Sequence, residues 1–227
     1  MINIYNEDCV KGMQSIADET IDCVVTDPPY GIDFQSGYRK KSPKLAKIAN
    51  DKTPYVEWIP EAYRVLKNDT TIFCFCRWDV MQVFIDSLCQ SGFNVKNALI
   101  WDKSGTGMGD LHGAFAPAYE ICLYATKGKF DLLKNSGYRY PDIVKIPKVP
   151  SNKIVHPNQK PIALMEFLIR CGSMRGGVVL DPFSGSGATL VAAKELERDA
   201  IGFELDPHYC ALIKDRLNCT AIKDTLF

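Results

Sequence analysis

The stretch between residues 177 and 204 constrains the fold of this 227-residue chain more than any other part. Residues 178–181 form a short apolar run that predicts a buried strand, and the glycine-containing loop 181–187 follows it. Apolar positions at helical spacing then predict a helix over 188–197, before another strand over 200–204. A strand, a glycine loop and a helix in this order form the nucleotide-binding turn of α/β sheets, where the helix N-terminus favours anionic groups.

The composition of this loop indicates a class of ligand. Its glycines, Gly185 and Gly187, are not followed by Lys-Ser or Lys-Thr, so the loop matches neither a P-loop nor a dinucleotide fingerprint. Glu204 lies 17 residues after Gly187, close to the spacing of a carboxylate that accepts hydrogen bonds from ribose hydroxyls. These features favour a nucleoside that carries an amino-acid moiety over a pyrophosphate. A tight strand-to-helix turn without a ligand is the alternative.

The tetrapeptide Asp27-Pro28-Pro29-Tyr30 follows another buried strand, which the apolar pattern predicts over 22–26. Open α/β sheets bind ligands at the carboxyl ends of their strands, so a binding site is expected here. Asp27 and the Pro28 carbonyl can accept N–H bonds, and Tyr30 offers a ring for stacking. The two prolines remove backbone donors. This set suits an amino group on a flat base, and a strand-ending turn with Tyr30 in the core is the alternative.

Together these motifs resemble the amino-group DNA methyltransferases that use S-adenosylmethionine. Asp27-Pro28-Pro29-Tyr30 is similar to the catalytic motif of that family, and residues 181–187 are similar to its cofactor loop. Residues 156–161 resemble the motif that flanks the methionine pocket, and residues 6–9 resemble the segment that holds the cofactor's adenine. The catalytic motif precedes the cofactor loop, which is the circularly permuted order of the beta class.

The resemblance implies a role for each residue of the catalytic motif. Asp27 and the Pro28 carbonyl would hold the target amine, with Pro29 stiffening the corner, while Tyr30 would stack on a base flipped out of the duplex. Such acceptors act by positioning and electrostatics, so Asp27 needs no raised pKa. On this interpretation Tyr30→Phe is expected to be mild and Tyr30→Ala severe.

The resemblance also implies a set of residues that bind S-adenosylmethionine. Glu204 would accept its ribose hydroxyls, Asp8 its adenine amino group, and Cys9 would donate a backbone N–H. Lys160 would pair with the methionine carboxylate, with a solvated lysine as the alternative, and His156 is expected to cap rather than bind. The other members of the set are Asp27, Asp181, Pro182, Phe183, Ser184, Gly185, Ser186, Gly187 and Thr189.

The expected reaction is site-specific methylation of adenine N6 in double-stranded DNA. Cytosine N4 presents the same amino group, and an aspartate in the first position of the tetrapeptide favours adenine only by family resemblance. An RNA or protein amino-group methyltransferase is a second alternative, and a non-catalytic nucleic-acid-binding relative is a third. The recognition sequence and the presence of an accompanying restriction enzyme stay open.

The alternation of strands and helices predicts an α/β fold with a parallel, doubly wound sheet. The resemblance implies a Rossmann-like, seven-stranded methyltransferase sheet, mostly parallel, with an antiparallel edge hairpin formed by strands over 95–101 and 119–125. One methyltransferase domain, 1–227, would comprise a catalytic half (1–126), a target-recognition loop region (127–155) and a cofactor-binding half (156–227). For base and cofactor to meet, the strands that end at Asp27 and Asp181 must be neighbours.

Local charge indicates a face that contacts nucleic acid, although the net charge of the chain is zero. Residues 39–52 hold six basic side chains against one acid, and residues 127–160 hold eight against two. Ordinary solvated loops are the alternative. Three long segments, 31–51, 104–116 and 128–155, show no helix or strand pattern, which is typical of functional loops. The first is expected to be mobile and to close over the flipped base.

The remaining composition bears on location and metal binding. The nine cysteines form no Cys-x-x-Cys pair, which favours reduced thiols in a reducing cytosol. The three histidines are well separated, so no metal site is expected. The N-terminus lacks a signal-peptide core and no apolar run approaches 18 residues, which favours a soluble, cytoplasmic protein without a membrane partner. A homodimer is compatible with the small target-recognition region.

Overall fold

The computed structural model describes residues 1–31, 53–107, 112–150, 152, 154–156 and 158–220. The strands in these residues are β1 (Ile2–Tyr5), β2 (Ile21–Thr26), β3 (Leu66–Cys76), β4 (Asn94–Asp102), β5 (Tyr119–Lys127), β6 (Ile143–Lys145), β7 (Val178–Asp181) and β8 (Asp199–Phe203). The helices are α1 (Cys9–Met13), α2 (Ile59–Val65), α3 (Met81–Gln90), α4 (Leu132–Ser136), α5 (Ile162–Gly172), α6 (Ala188–Glu195) and α7 (Pro207–Thr220).

These strands form one sheet in the order β1-β8-β7-β2-β3-β5-β4-β6. β5 is antiparallel to both of its neighbours, and every other adjacent pair is parallel. The chain leaves β2 towards β3 on one side and leaves β7 towards β8 on the other. The switch point of the sheet therefore lies between β2 and β7, which is where such folds bind ligands. Their register pairs Cys23 with Val179 and Val24 with Leu180, which confirms that the two predicted strand ends are neighbours.

Helices cover both faces of the sheet, so the central strands are apolar on both sides. On one face, α5 and α6 pack over Cys23, Val25 and Phe73. On the other face, α1, α2 and α3 pack over Val24 and Ile72. Burial of each large apolar side chain contributes about 1.5–3 kcal/mol, so this double covering fixes β2 firmly and with it the position of its carboxyl end.

Most predicted elements are confirmed, and their differences at the ends have local causes. β1 and β7 begin and end where the pattern predicted them. α2 begins at Ile59, five residues later than predicted, because the preceding segment is bound to residues 29 and 30. The Tyr55 N–H donates to the Pro29 carbonyl over 3.1 Å, and Tyr30 forms a bridge with Pro54.

The sequence prediction was wrong about the segment after β5. The described part of residues 128–155 contains α4 and β6, so the sheet formed by the described residues has eight strands instead of seven, and the hairpin of β4 and β5 does not form its edge. β6 has only three residues, too few for a periodic pattern to show. The residues on either side of β6 are hydrogen-bonded to the distant β4: Ile100 N–H donates to the Asp142 carbonyl over 2.7 Å, and Ile146 N–H donates to the Asp102 carbonyl over 3.1 Å.

Each of the three predicted long loops falls partly outside the described residues, the third only at positions 151 and 153. The segment expected to close over the base lies outside them except for Gly31, and residues 108–111 of the second loop also lie outside. The first basic cluster, 39–52, is outside as well. Among the helices of the described residues, none combines the length and apolarity needed to cross a membrane.

Candidate active site

Four strand ends meet around one cavity of about 430 Å³ at the carboxyl edge of the sheet. Asp8 follows β1, Asp27 follows β2, Asp181 ends β7 and Glu204 follows β8. The cavity brings together all of the predicted site residues except Gly187, which lies behind the wall as the residue before α6. The wall residues from the prediction are Asp8, Cys9, Asp27, Pro28, Pro29, Tyr30, Lys160, Asp181, Pro182, Phe183, Ser184, Gly185, Ser186, Thr189 and Glu204.

The loop between β7 and α6 has a backbone that depends on its glycines. Gly185 and Gly187 have φ of +50° and +77°, in the left-handed region that other residues rarely adopt. A Cβ at Gly187 would also lie 2.8 Å from Ile213 Cγ1. The loop closes on itself through Gly187 N–H, which donates to the Ser184 carbonyl over 2.6 Å. These constraints hold the loop tightly and turn its backbone towards the cavity.

Glu204 is fixed by backbone donors from both sides of the cavity. One carboxylate oxygen accepts from Gly185 N–H over 2.8 Å, and the other accepts from Asp206 N–H over 2.9 Å. Burial raises the pKa of Glu204, and these two hydrogen bonds oppose the rise. Each oxygen keeps a further lone pair, so Glu204 can still accept hydrogen bonds from hydroxyl groups in the cavity.

Asp8 caps α1 while it lines the cavity. Its Oδ1 accepts from Val10 N–H over 3.0 Å and from Lys11 N–H over 3.1 Å, which is the usual geometry of an aspartate N-cap. The other oxygen, Oδ2, is the one that could accept a ligand's amino group. Cys9 is buried next to it, and burial raises the pKa of the Cys9 thiol to about 12, so Cys9 is a neutral thiol.

Asp27 is bound through both carboxylate oxygens. Tyr30 Oη donates to Oδ1, and Lys160 Nζ donates to Oδ2. Burial raises the pKa of Asp27, and the positive charge of Lys160 opposes that rise. Burial also raises the pKa of Tyr30 well above its ordinary value, so the Tyr30 hydroxyl keeps its proton and remains a donor. The Tyr30 ring packs edge-on against Phe84, with centroids 6.5 Å apart.

Lys160 lies between two carboxylates. Besides Asp27, its Nζ contacts Glu120 Oε2 over 3.1 Å, and it sits 4.9 Å from the centroid of the Phe75 ring. Burial disfavours the charged form of Lys160, but the two carboxylates outweigh burial and raise its pKa. The structure therefore places the Lys160 ammonium on Asp27, and its predicted contact with the cofactor stays a prediction.

Asp181 and His156 complete the polar wall. Asp181 is buried and accepts from Phe183 N–H over 3.1 Å, and burial raises its pKa to about 7. His156 packs against Tyr209 with ring centroids 4.4 Å apart. Burial, with a contribution from Lys160, lowers the pKa of His156 to about 4, so its ring is neutral and its Nδ1 accepts from Asn158 N–H.

Aromatic side chains form the apolar part of the wall. The Phe183 ring contacts Tyr55 at a centroid distance of 5.9 Å and Trp58 at 5.6 Å, both edge-on. These two edge-on contacts hold Phe183 against the residues just before α2. The Thr26 side chain is also buried at the wall.

Sequence reasoning missed three residues that matter here: Tyr55, Phe75 and Glu120. Tyr55 and Phe75 look like ordinary core aromatics, and no sequence signal separates them from the core. Glu120 did carry a signal, because it is a charged residue in a strand whose other positions on the same face, such as Cys122, are buried.

One sequence-predicted basic cluster is divided by the structure. Lys127 and Lys160 are buried, and Lys127 Nζ donates to the Tyr63 and Leu66 carbonyls at the end of α2. These two residues cannot belong to a surface that contacts phosphate. The members of the cluster that are exposed within the described residues are Lys129, Lys134, Arg139, Lys145 and Lys148.

Comparison with known proteins identifies a family with this arrangement. Residues 21–215 match the model of a family described as DNA methylase. Type II methyltransferase M2.MboI of Moraxella bovis is 29% identical over 236 residues, which cover 94% of this chain and 86% of that protein. Type II methyltransferase M.HpaI of Haemophilus parainfluenzae is 28% identical over 235 residues, which cover 92% and 72%.

Solved structures share the fold over nearly the whole chain. The M1.HpyAVI–SAM complex matches with a TM-score of 0.71 and 28% identity, and the match covers 96% of this chain and 100% of that one. The cytosine-N4-specific PvuII DNA methyltransferase matches with a TM-score of 0.75 and 21% identity, over 95% and 86%. The second likeness shows the fold alone.

Proposed function

Because the chain belongs to the DNA methylase family whose members modify exocyclic amino groups, we propose that it methylates adenine N6 in double-stranded DNA. S-adenosylmethionine is its methyl donor. The observation that carries this proposal is the convergence of Asp27 and the 181–187 loop on one cavity. They are far apart in the sequence, and only the adjacency of β2 and β7 brings them together.

The cavity fits the proposed cofactor. Its volume of about 430 Å³ lies in the range of roughly 300–1,000 Å³ that is typical of small-molecule sites. Glu204 offers carboxylate oxygens for a ribose, and Asp8 offers one for an adenine amino group. The glycine loop leads into the N-terminus of α6, which favours a carboxylate. Phe183, held by its aromatic neighbours, offers an apolar surface for the adenine ring.

Asp27 and the Pro28 carbonyl are the acceptors for the target amine. When bound, the cofactor supplies an electrophilic methyl group on a positively charged sulfur. Accepting both N–H bonds favours a pyramidal nitrogen whose lone pair points into the cavity. As the nitrogen gains positive charge, the Asp27 carboxylate stabilises it and can accept the proton that the nitrogen then loses.

The target base reaches this cavity by leaving the duplex. Extrusion costs a few kcal/mol, and stacking on an aromatic side chain recovers about 1–3 kcal/mol. Tyr30 lines the cavity next to Asp27 and supplies that stacking. The predicted recognition region 127–155 would read the sequence, since it presents exposed Tyr138 and Tyr140 on either side of Arg139, a member of the second basic cluster. A homodimer would double this small reading surface, and sedimentation with and without DNA tests it.

Methylation of cytosine N4 is the second candidate. The matched family model covers N6 and N4 DNA methylases together, so it does not separate the two bases. Both bases present the same amino group to Asp27, so the acceptor geometry serves either one. Adenine is proposed on the first residue of the tetrapeptide, and nucleoside analysis of methylated DNA separates the two.

The experiment is a transfer assay with methyl-labelled cofactor on double-stranded DNA, RNA and protein. We expect label in DNA, recovered as N6-methyladenine after digestion. Asp27→Asn should lower kcat by about 10²–10³-fold or more, because the amide has lost the acceptor charge, while cofactor affinity by calorimetry stays within a few-fold. Asp86→Asn, at an exposed position on α3, is the matched control. Label in RNA or protein alone, or near-normal turnover by Asp27→Asn, would contradict the proposal.

A further inference from the structure

Glu120, at the start of β5, belongs to none of the sequence motifs, yet the sheet brings it to the active site. β5 runs against its neighbours, so its first residues lie at the carboxyl edge, where Glu120 pairs with Trp101 of β4. Side chains alternate along a strand, so Glu120 shares a face with Cys122. Asp27 continues the same face of the sheet after Val25. The reversed direction of one strand therefore places a second carboxylate beside the catalytic one.

The contacts of Glu120 form a chain of charges that ends at Asp27. Glu120 Oε2 lies 3.1 Å from Lys160 Nζ, which in turn contacts Asp27 Oδ2. Glu120 Oε1 lies 3.4 Å from Lys103 Nζ at its other side. Lys160 is only 7% exposed and lies against the Phe75 ring. A buried ion pair of this kind is weak evidence for a role in stability, and such clusters are concentrated at functional sites.

The arrangement matters for the acceptor strength of Asp27. Lys160 neutralises part of the charge that Asp27 directs at the target amine. An ammonium bound to Asp27 alone would oppose the positive charge that develops on the nitrogen. Glu120 attracts the same ammonium and so leaves more of the Asp27 charge available for the amine.

We propose that Glu120 is a positioning residue for methyl transfer, which acts through Lys160 to keep Asp27 oriented and to preserve its charge for the target amine. This inference rests on the proposed function. It assigns Lys160 to the catalytic carboxylate, and it predicts that Glu120 affects turnover more than the binding of either substrate.

The pH profile is a readout that a purely structural role would not move. The groups that face Asp27 are Lys160, Glu120, Tyr30, Asp181, Cys74, Cys76 and Cys122. Glu120 raises the pKa of Asp27, so its removal should lower that pKa and shift the acid limb of kcat to lower pH. The plateau of kcat should fall at the same time, because the acceptor has become weaker.

The experiment compares Glu120→Gln with Glu61→Gln, which breaks a similar ion pair with Arg64 on α2, outside the cavity. We expect Glu120→Gln to lower kcat by about 10- to 100-fold and to move the acid limb, with unchanged cofactor affinity by calorimetry. Glu120→Asp should restore part of kcat. Glu61→Gln should behave as wild type. Since the position of a pH limb does not depend on the amount of folded protein, it remains decisive even if Glu120→Gln is less stable.

A double-mutant comparison tests whether Glu120 acts through Lys160. In a Lys160→Gln background, Glu120→Gln should lower kcat by less than threefold, because the ammonium that links the two carboxylates is gone. If Glu120→Gln lowered kcat in that background as much as it does in the wild-type protein, the inference would be overturned. A wild-type kcat and pH profile in the single variant Glu120→Gln would also overturn it. An inactive wild-type protein would instead overturn the proposed function and this inference with it.

Discussion

We expect two roles of the Tyr30 side chain, which the sequence could not separate. Its ring is available for stacking and packs against Phe84, while its hydroxyl donates to Asp27. If Tyr30 acted only by stacking, removal of its hydroxyl would lower kcat only slightly. The hydrogen bond to a carboxylate adds a role in orienting Asp27, since bonds to charged groups contribute about 1.5–3 kcal/mol.

Tyr30→Phe is therefore predicted to lower kcat by about tenfold, with DNA and cofactor affinities close to wild type. An increase of about 1.4 kcal/mol in the activation free energy, caused by the less well oriented Asp27, corresponds to that factor. Steady-state kinetics with calorimetry measure both quantities, and Tyr63→Phe, whose ring packs on Phe93 away from the cavity, is the control. A kcat equal to wild type would show that the hydroxyl does not orient Asp27.

Asp181 makes stability depend on pH. Burial raises its pKa from 3.8 to about 7, so the folded state holds its proton more tightly than the unfolded state. The stability from this carboxyl is fully present below pH 3.8 and is lost as pH rises through about 7. We predict that the free energy of unfolding of wild type falls relative to that of Asp181→Asn as pH rises from about 4 to about 7. Urea denaturation across this range measures it, and equal slopes would contradict the assignment.

At the scale of the elements, the loop between β7 and α6 has a backbone conformation on which the shape of the ligand cavity depends. Its left-handed residue Gly187 closes the turn and stands directly before α6, so the loop and the helix N-terminus are set by one residue. A side chain there meets Ile213 of α7, which is a packed core position. The geometry of the cofactor site thus depends on packing between α6 and α7 as well as on the loop sequence.

Gly187→Ala should destabilise the protein by about 1–3 kcal/mol and weaken cofactor binding, because the backbone is strained and the new methyl group clashes. Chemical denaturation and calorimetry give the two values. Gly105→Ala is the matched control, since a Cβ at Gly105 meets no atom within 4 Å. Equal effects of the two substitutions would show that the left-handed conformation is unimportant for the site.

At the scale of the whole molecule, the cavity joins segments from both ends of the chain. Asp8, Asp27 and Lys160 come from distant segments, and the sheet holds them together at its switch point. A ligand in this cavity would contact several of these segments at once. Binding should therefore stabilise the molecule as a unit.

Saturation with S-adenosylmethionine is predicted to raise the free energy of unfolding by about 2.7 kcal/mol at a hundredfold excess over Kd. For a chain of this size, each kcal/mol raises Tm by about 2–4 °C. Scanning calorimetry measures the shift, which Asp27→Asn should retain and Gly187→Ala should lose at the same concentration. An unshifted Tm in wild type would contradict cofactor binding.

The sequence by itself determined the parts of this protein that local patterns record. Apolar periodicity located most strands and helices, and glycines and prolines located the turns at Asp27 and Asp181. Since parallel strands end at one edge of a sheet, the motifs at those ends also predicted a shared site. These inferences needed only neighbouring residues and one general rule of α/β sheets.

Only the tertiary structure decided which charges meet. Lys160 contacts a carboxylate 133 positions away, and Lys127 turns inward to the end of α2. Glu120 reaches the site because β5 runs backwards in the sheet, and β6 exists because the edge of β4 offers it hydrogen bonds. Such contacts depend on strand order and direction. The packing of the whole chain sets these, and no periodic pattern in the sequence records them.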